Sequence, residues 1–185
     1  MNSEYSITTF SDCFTDIVAF IKSSGFTVVE DSTDLFVFTL SSYYIEICNS
    51  TDYGICITCS TSYNNTIDWY KQEGCPHFEN TNNGYDYYFS VIPIGTSTYT
   101  LYCNSNTTNI EISLIDNSNI LRKTFNISFG IMNNISNSGL NLYMLGTITK
   151  YGSILTQKSD SYLGCMLRTA IDNGMYSSIA ENGWV

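Results

Sequence analysis

Apolar residues recur at Phe10, Cys13, Phe14, Ile17, Val18 and Ile21, the three-and-four spacing that lines one face of an α-helix. This spacing predicts a helix between Thr9 and Ser24. Thr9 or Ser11 can cap its start, and Gly25 stands where a left-handed C-terminal cap is wanted. Phe20 falls off the stripe and is expected at the edge of a sheet or against a neighbour. After Gly25 the period changes to two. Phe26-Thr27-Val28-Val29-Glu30, Leu35 to Leu40, Tyr43 to Cys48 and Ile55 to Cys59 read as four short strands separated by small polar turns. Such a run predicts an antiparallel meander with the helix laid over one face.

The pattern then breaks. Residues 60–85 hold Trp69, the single His77 and one of two prolines, with little periodicity. A long loop excursion is expected here, and loops of this length in a compact domain usually carry contacts or function. Strand signals resume at Tyr87 to Ile92, Tyr99 to Tyr102, Asn109 to Leu114 and Thr124 to Phe129. The last three alternate apolar and polar residues and predict a second meander. One more strand is expected from Leu140 to Ile148. A Gly-punctuated C-terminal arm over residues 151–185 follows, with a short helix near Met166 to Asp172. The expected architecture is therefore mainly β, an α+β chain with its N-terminal amphipathic helix packed on antiparallel, sandwich-like sheets. Residues 1–150 make the domain and 151–185 an irregular arm.

A chain of 185 residues is long enough to bury about 70% of its unfolded surface without help from metal or disulfide. Charged residues make up 13%, against roughly 25% in ordinary soluble domains. Asn, Ser, Thr and Tyr carry the polarity instead. Fifteen Tyr, ten Phe and two Trp favour pleated surfaces. A β-rich surface so poor in charge is expected to be covered by partners.

Seven basic against 17 acidic residues give a formal net charge of -10. The basic residues are scattered, so neither specific nucleic-acid binding nor attraction to an anionic membrane is expected. A repulsive acidic lining of a DNA channel remains compatible with this charge. The chain shows no apolar run of about 18 residues. It also has no basic and apolar leader at Met1-Asn2-Ser3-Glu4-Tyr5. A cytosolic beginning is expected, with the seven cysteines reduced and serving as small hydrophobes.

The candidate chemistry is sparse. Cys56, Cys59, Cys75 and His77 form a set of residue types that suits zinc. However, an offset of three along a strand puts Cys56 and Cys59 on opposite faces, so buried thiols are expected and no metal. Cys75 and His77 lie two apart, which establishes neither the geometry nor the orienting group that a thiol nucleophile needs. No calcium-loop spacing, phosphate loop or cofactor motif is legible. Contact residues are more readily named. Trp69, Tyr70 and His77 in the excursion, and Tyr151, Tyr162 and Trp184 in the arm, are the expected interface positions, because aromatic anchors dominate interface energetics.

Three segments carry a resemblance. They are Ser24-Gly25-Phe26-Thr27-Val28-Val29 after the helix, Asp68-Trp69-Tyr70-Lys71-Gln72-Glu73-Gly74, and Tyr87-Tyr88-Phe89 followed by Phe125-Asn126-Ile127-Ser128-Phe129-Gly130-Ile131. In order and approximate spacing over most of the first 150 residues, they resemble a group of small virion structural proteins of tailed bacteriophages. Leu121-Arg122-Lys123 stands where that group carries an Arg-His or Tyr-Arg pair, and its following Gly-Gly is missing. The resemblance implies a non-enzymatic β-rich subunit, repeated in a ring of the head-to-tail connector or neck, the tail or the baseplate. Its partners would be copies of itself and other virion proteins, and its location the virion, after synthesis in the host cytoplasm. Two other readings stand beside it. Exposed Tyr and Trp with Asn and Asp suit a carbohydrate- or receptor-binding module, and Cys75 is where a hydrolase or thiol protease would have to be sought.

Overall fold

Helix α1 (Phe10–Ser23) forms where the apolar stripe places it, and the chain leaves it at Gly25 with φ +82°. Thr9 is the cap: its side-chain oxygen accepts from the Asp12 amide at 3.1 Å. The computed structural model describes residues 1–51, 54–75, 77–80, 84–92, 98–118, 124–133, 140–151, 161–168 and 175–179. Cys13, Phe14, Ile17, Val18 and Ile21 are buried as expected, and so is Phe20. Phe20 is three residues from Ile17 and seven from Cys13, so the buried face is wider than the stripe first suggests.

Thirteen strands are described. The predicted first meander is β2 (Thr27–Asp31), β3 (Leu35–Leu40), β4 (Tyr43–Ser50) and β5 (Gly54–Ser60), paired antiparallel in sequence order. The second is β8 (Tyr99–Ser105), β9 (Asn109–Asp116) and β10 (Thr124–Asn133). It gains a strand that the pattern did not announce. β1 (Asn2–Ile7) pairs with β8, setting Tyr5 against Leu101 and Ile7 against Tyr99. With only Tyr5 and Ile7 as apolar residues, β1 has too weak an alternation to be read alone, and the partner strand supplies the order.

These two four-stranded sheets are the layers of an α+β sandwich. Phe36, Phe38, Ile45, Ile47, Ile55 and Ile57 from one layer form a single core with Leu101, Ile110, Ile112, Leu114, Ile127 and Phe129 from the other. The Phe38 and Phe129 rings, 6.3 Å apart, meet across it. α1 contacts β1 and β8 on one side and β4 and β5 on the other, so it lies where both layers can bury its stripe.

The layers are joined by β11 (Leu140–Tyr151). Its first half pairs with β10, and its second half pairs with β7 (Gly84–Ile92). β7 in turn hydrogen-bonds β5, with Ser90 opposite Ile57 on one edge and Ile148 on the other. β12 (Ser161–Arg168) runs along the remaining edge of β11, and β13 (Met175–Ile179) pairs with β12.

Two expectations are corrected. The excursion is shorter than residues 60–85, because β6 (His77–Asn80) turns back against the start of β7. The expected helix near Met166 is strand at Met166–Arg168, and two segments of the arm are regular strands because β11 offers β12 an unpaired edge and β12 in turn offers one to β13. The rest of that expected helix lies outside the described residues.

Candidate functional site

Strands β3, β4 and β5 turn one face to the core, and the opposite face is covered as well. All seven residues of β5 are buried, which an alternating strand achieves only when both faces are packed. Cys59 lies in the main core. Cys56 lies on the other side in a small separate cluster with Cys48, Trp69 and Tyr70. This is the opposition of faces that the CxxC spacing predicted.

The cover is segment 61–75, a loop that ties its own ends together. The Thr61 amide and hydroxyl both donate to the Glu73 carbonyl, at 2.8 and 2.9 Å, and the Ser62 hydroxyl reaches the Glu73 carboxylate at 3.0 Å. Gln72, 3% exposed, organises the interior. Its side-chain NH2 donates to the carbonyls of Ile67 and Asn64 at 2.8 and 3.0 Å, and its side-chain oxygen accepts from the Asn64 amide at 2.8 Å. A 3-10 turn at Trp69–Lys71 sets the two aromatic rings edge to face, 5.3 Å apart.

Beneath the loop runs one register row, Glu30–Val37–Glu46–Thr58, across β2 to β5. Glu46 is fully buried. Ser60 Oγ donates to its Oε1, and its Oε2 has no hydrogen-bond partner. Burial pushes this carboxyl up to about 8, against a smaller opposing pull from the Ser60 hydrogen bond. At neutral pH Glu46 is therefore largely a neutral acid. Tyr63 crosses the row from above: its ring stacks on Tyr44 at 6.3 Å and its hydroxyl donates to the Glu30 carboxylate. Burial, followed by Glu30, raises the Tyr63 phenol. Cys75 completes the contact, with the Thr58 hydroxyl 3.9 Å from its sulfur.

The predicted residues distribute unevenly over this arrangement. Trp69 and Tyr70 sit half-buried on the cover, packed against Cys56 rather than plugging the main core. His77 and Tyr151 fall opposite Tyr87 on its two sides, and so share one register row across β7. Tyr162 stands opposite Ile148 in the next pairing outward. Trp184 lies outside the described residues. Glu46 was not singled out by the sequence, where Ile45-Glu46-Ile47 reads as an ordinary alternating strand with its carboxylate in solvent. The available signal was indirect: Thr58 and Ser60 on the next strand, followed by an aromatic pair in an aperiodic loop.

Burial also keeps the thiols neutral. It pushes Cys48 up to about 12, with a further rise from Asp34, and raises Cys56 well above the usual thiol range. Among the described residues no three His, Cys, Asp or Glu side chains gather as metal ligands. Comparison with known protein families and with characterised proteins gave no match to this chain.

Proposed function

We propose that the chain is a non-enzymatic structural subunit of a tailed-bacteriophage particle, assembling as a ring in the neck, tail or baseplate. The observation that supports this reading most directly is an open sheet edge. β2 pairs with β3 alone among the described residues, and it exposes Val28 and Val29 in a chain with few charges. An edge strand that presents exposed apolar side chains can pair with another chain, although β2 also carries a register irregularity between Val28 and Glu30 and two acidic residues, Glu30 and Asp31. The resemblance of the Gly25, Trp69 and Phe129 segments to small virion proteins points to the kind of assembly. The acidic balance fits a subunit that repels DNA sliding past it.

Quantitative mass spectrometry of purified particles tests the proposal. A fixed copy number in multiples of three or six is expected, and absence from the particles would overturn it. A second reading rests on the half-exposed Trp69–Tyr70 pair beside exposed Ile67, a surface suited to stacking against sugar rings. Specific binding on a glycan array, with the chain missing from particles, would favour that reading instead.

A further inference from the structure

Segment 61–75 is built as a unit. Its neck is closed by Thr61 and Glu73 and its interior by Gln72. It could therefore leave the sheet without losing its own bonds. What it covers is costly to leave exposed in one state and costly to charge in the other. The neutral Glu46 acid is compatible with the dry interface. An ionised carboxylate with one unpartnered oxygen is not, because an unpaired buried charge requires water or a counter-charge.

We propose that segment 61–75 is a proton-controlled flap. With Glu46 neutral it lies closed on the outer face of β3–β5, and loss of the Glu46 proton releases it and uncovers Cys48 and Cys56. This device goes beyond the assembly reading and does not depend on it.

The surrounding groups leave Glu46 as the switch. Its own strand contributes Tyr44 and Cys48, β5 contributes Cys56, and β2 contributes Glu30, while β3 sets Val37 beside it. Asp34 lies near Cys48. The flap brings Tyr63, Asp68, Tyr70, Lys71, Glu73 and Cys75. Its one cation, Lys71, pairs with Asp68 at 2.7 Å. Glu30 accepts from Tyr63, whose phenol stays protonated across the neutral range. The Cys48 and Cys56 thiols are held neutral by burial.

The sign follows from the raised value. Below the ordinary carboxyl value of 4.5, Glu46 is protonated whether the flap is closed or open, and closure keeps its full stability. Between 4.5 and about 8 only the open state ionises, so the closed-to-open ratio falls by up to tenfold per pH unit. Above about 8 the loss is complete.

Cys56 and Cys59 provide the test, because they lie on opposite faces of one strand, the first beneath the flap and the second in the main core. Labelling by an acid-active aromatic disulfide is followed residue by residue in the mass spectrometer. Each rate is divided by that of the same site in denaturant at the same pH. Protection of Cys56 is expected to fall by up to tenfold per pH unit through the window, while Cys59 stays constant. In Glu46→Gln the Cys56 protection is expected to be flat with pH. Parallel loss at both cysteines, unchanged protection at Cys56, or a wild-type profile in Glu46→Gln would each overturn the flap. If Glu46→Gln fails to fold, Ser60→Ala decides: removing the hydrogen bond to the carboxylate should move the end of the window to higher pH, and an unmoved profile would count against the proposal.

Discussion

Gly25 shows how little side-chain contact some positions require. A Cβ built there meets nothing within 4 Å, yet the backbone is left-handed at φ +82°. Gly25→Ala should therefore cost about 1 kcal/mol through backbone conformation alone. This is measurable as a lower denaturation midpoint with an unchanged slope. Glu46 is the opposite case, since its backbone is ordinary strand and its environment decides everything. The same side chain on an uncovered face would be a solvated carboxylate. Under segment 61–75 it is a neutral acid with one oxygen unpaired. Phe20 belongs with it: its burial comes from two layers meeting on one helix, which widens the buried face.

Among the elements, α1 and the alternating strands β8, β9 and β10 follow directly from their patterns. Leu101 opposes Leu114, Cys103 opposes Ile112, and Ile112 opposes Ile127, so apolar residues meet in rows that a one-residue slip would turn to solvent. The 61–75 loop has no period and depends instead on Gln72. Gln72→Ala would leave the carbonyls of Asn64 and Ile67 and the Asn64 amide without that partner, at a cost of about 1–3 kcal/mol. The expected signature is local. Cys56 should lose protection from labelling at every pH while Cys59 keeps its own, and an unchanged Cys56 would show that Gln72 does not organise the cover.

At the scale of the whole molecule, β11 is the member on which the layers depend, because it pairs with β10, β7 and β12. Deleting the residues after Tyr151 removes β12 and β13 but leaves both four-stranded layers and the helix between them. Such a chain should retain its far-ultraviolet dichroism and a cooperative unfolding transition. Under the proposed function it should fail to form rings, as read by native mass spectrometry. Intact rings from the truncated chain would remove the arm from the assembly mechanism. A second variant addresses the other edge: Val29→Lys places a charge on exposed β2 and should weaken assembly without lowering the unfolding midpoint, since Val29 is 43% exposed.

The amino-acid pattern by itself determined α1, the two meanders, the mainly β class and the division of Cys56 from Cys59. Each of these depends on periodicities of 3.6 or two over consecutive residues, and such local spacing survives in any surroundings. The tertiary structure alone decided that β1 is a strand, that β6 shortens the excursion, that the arm contributes β12 and β13, and that Glu46 is sealed from water. Each of those depends on a partner distant in the chain. β1 is ordered by β8, β12 by the unpaired edge of β11, and the state of Glu46 by a loop that folds back over a face whose own alternation reads as solvent-exposed.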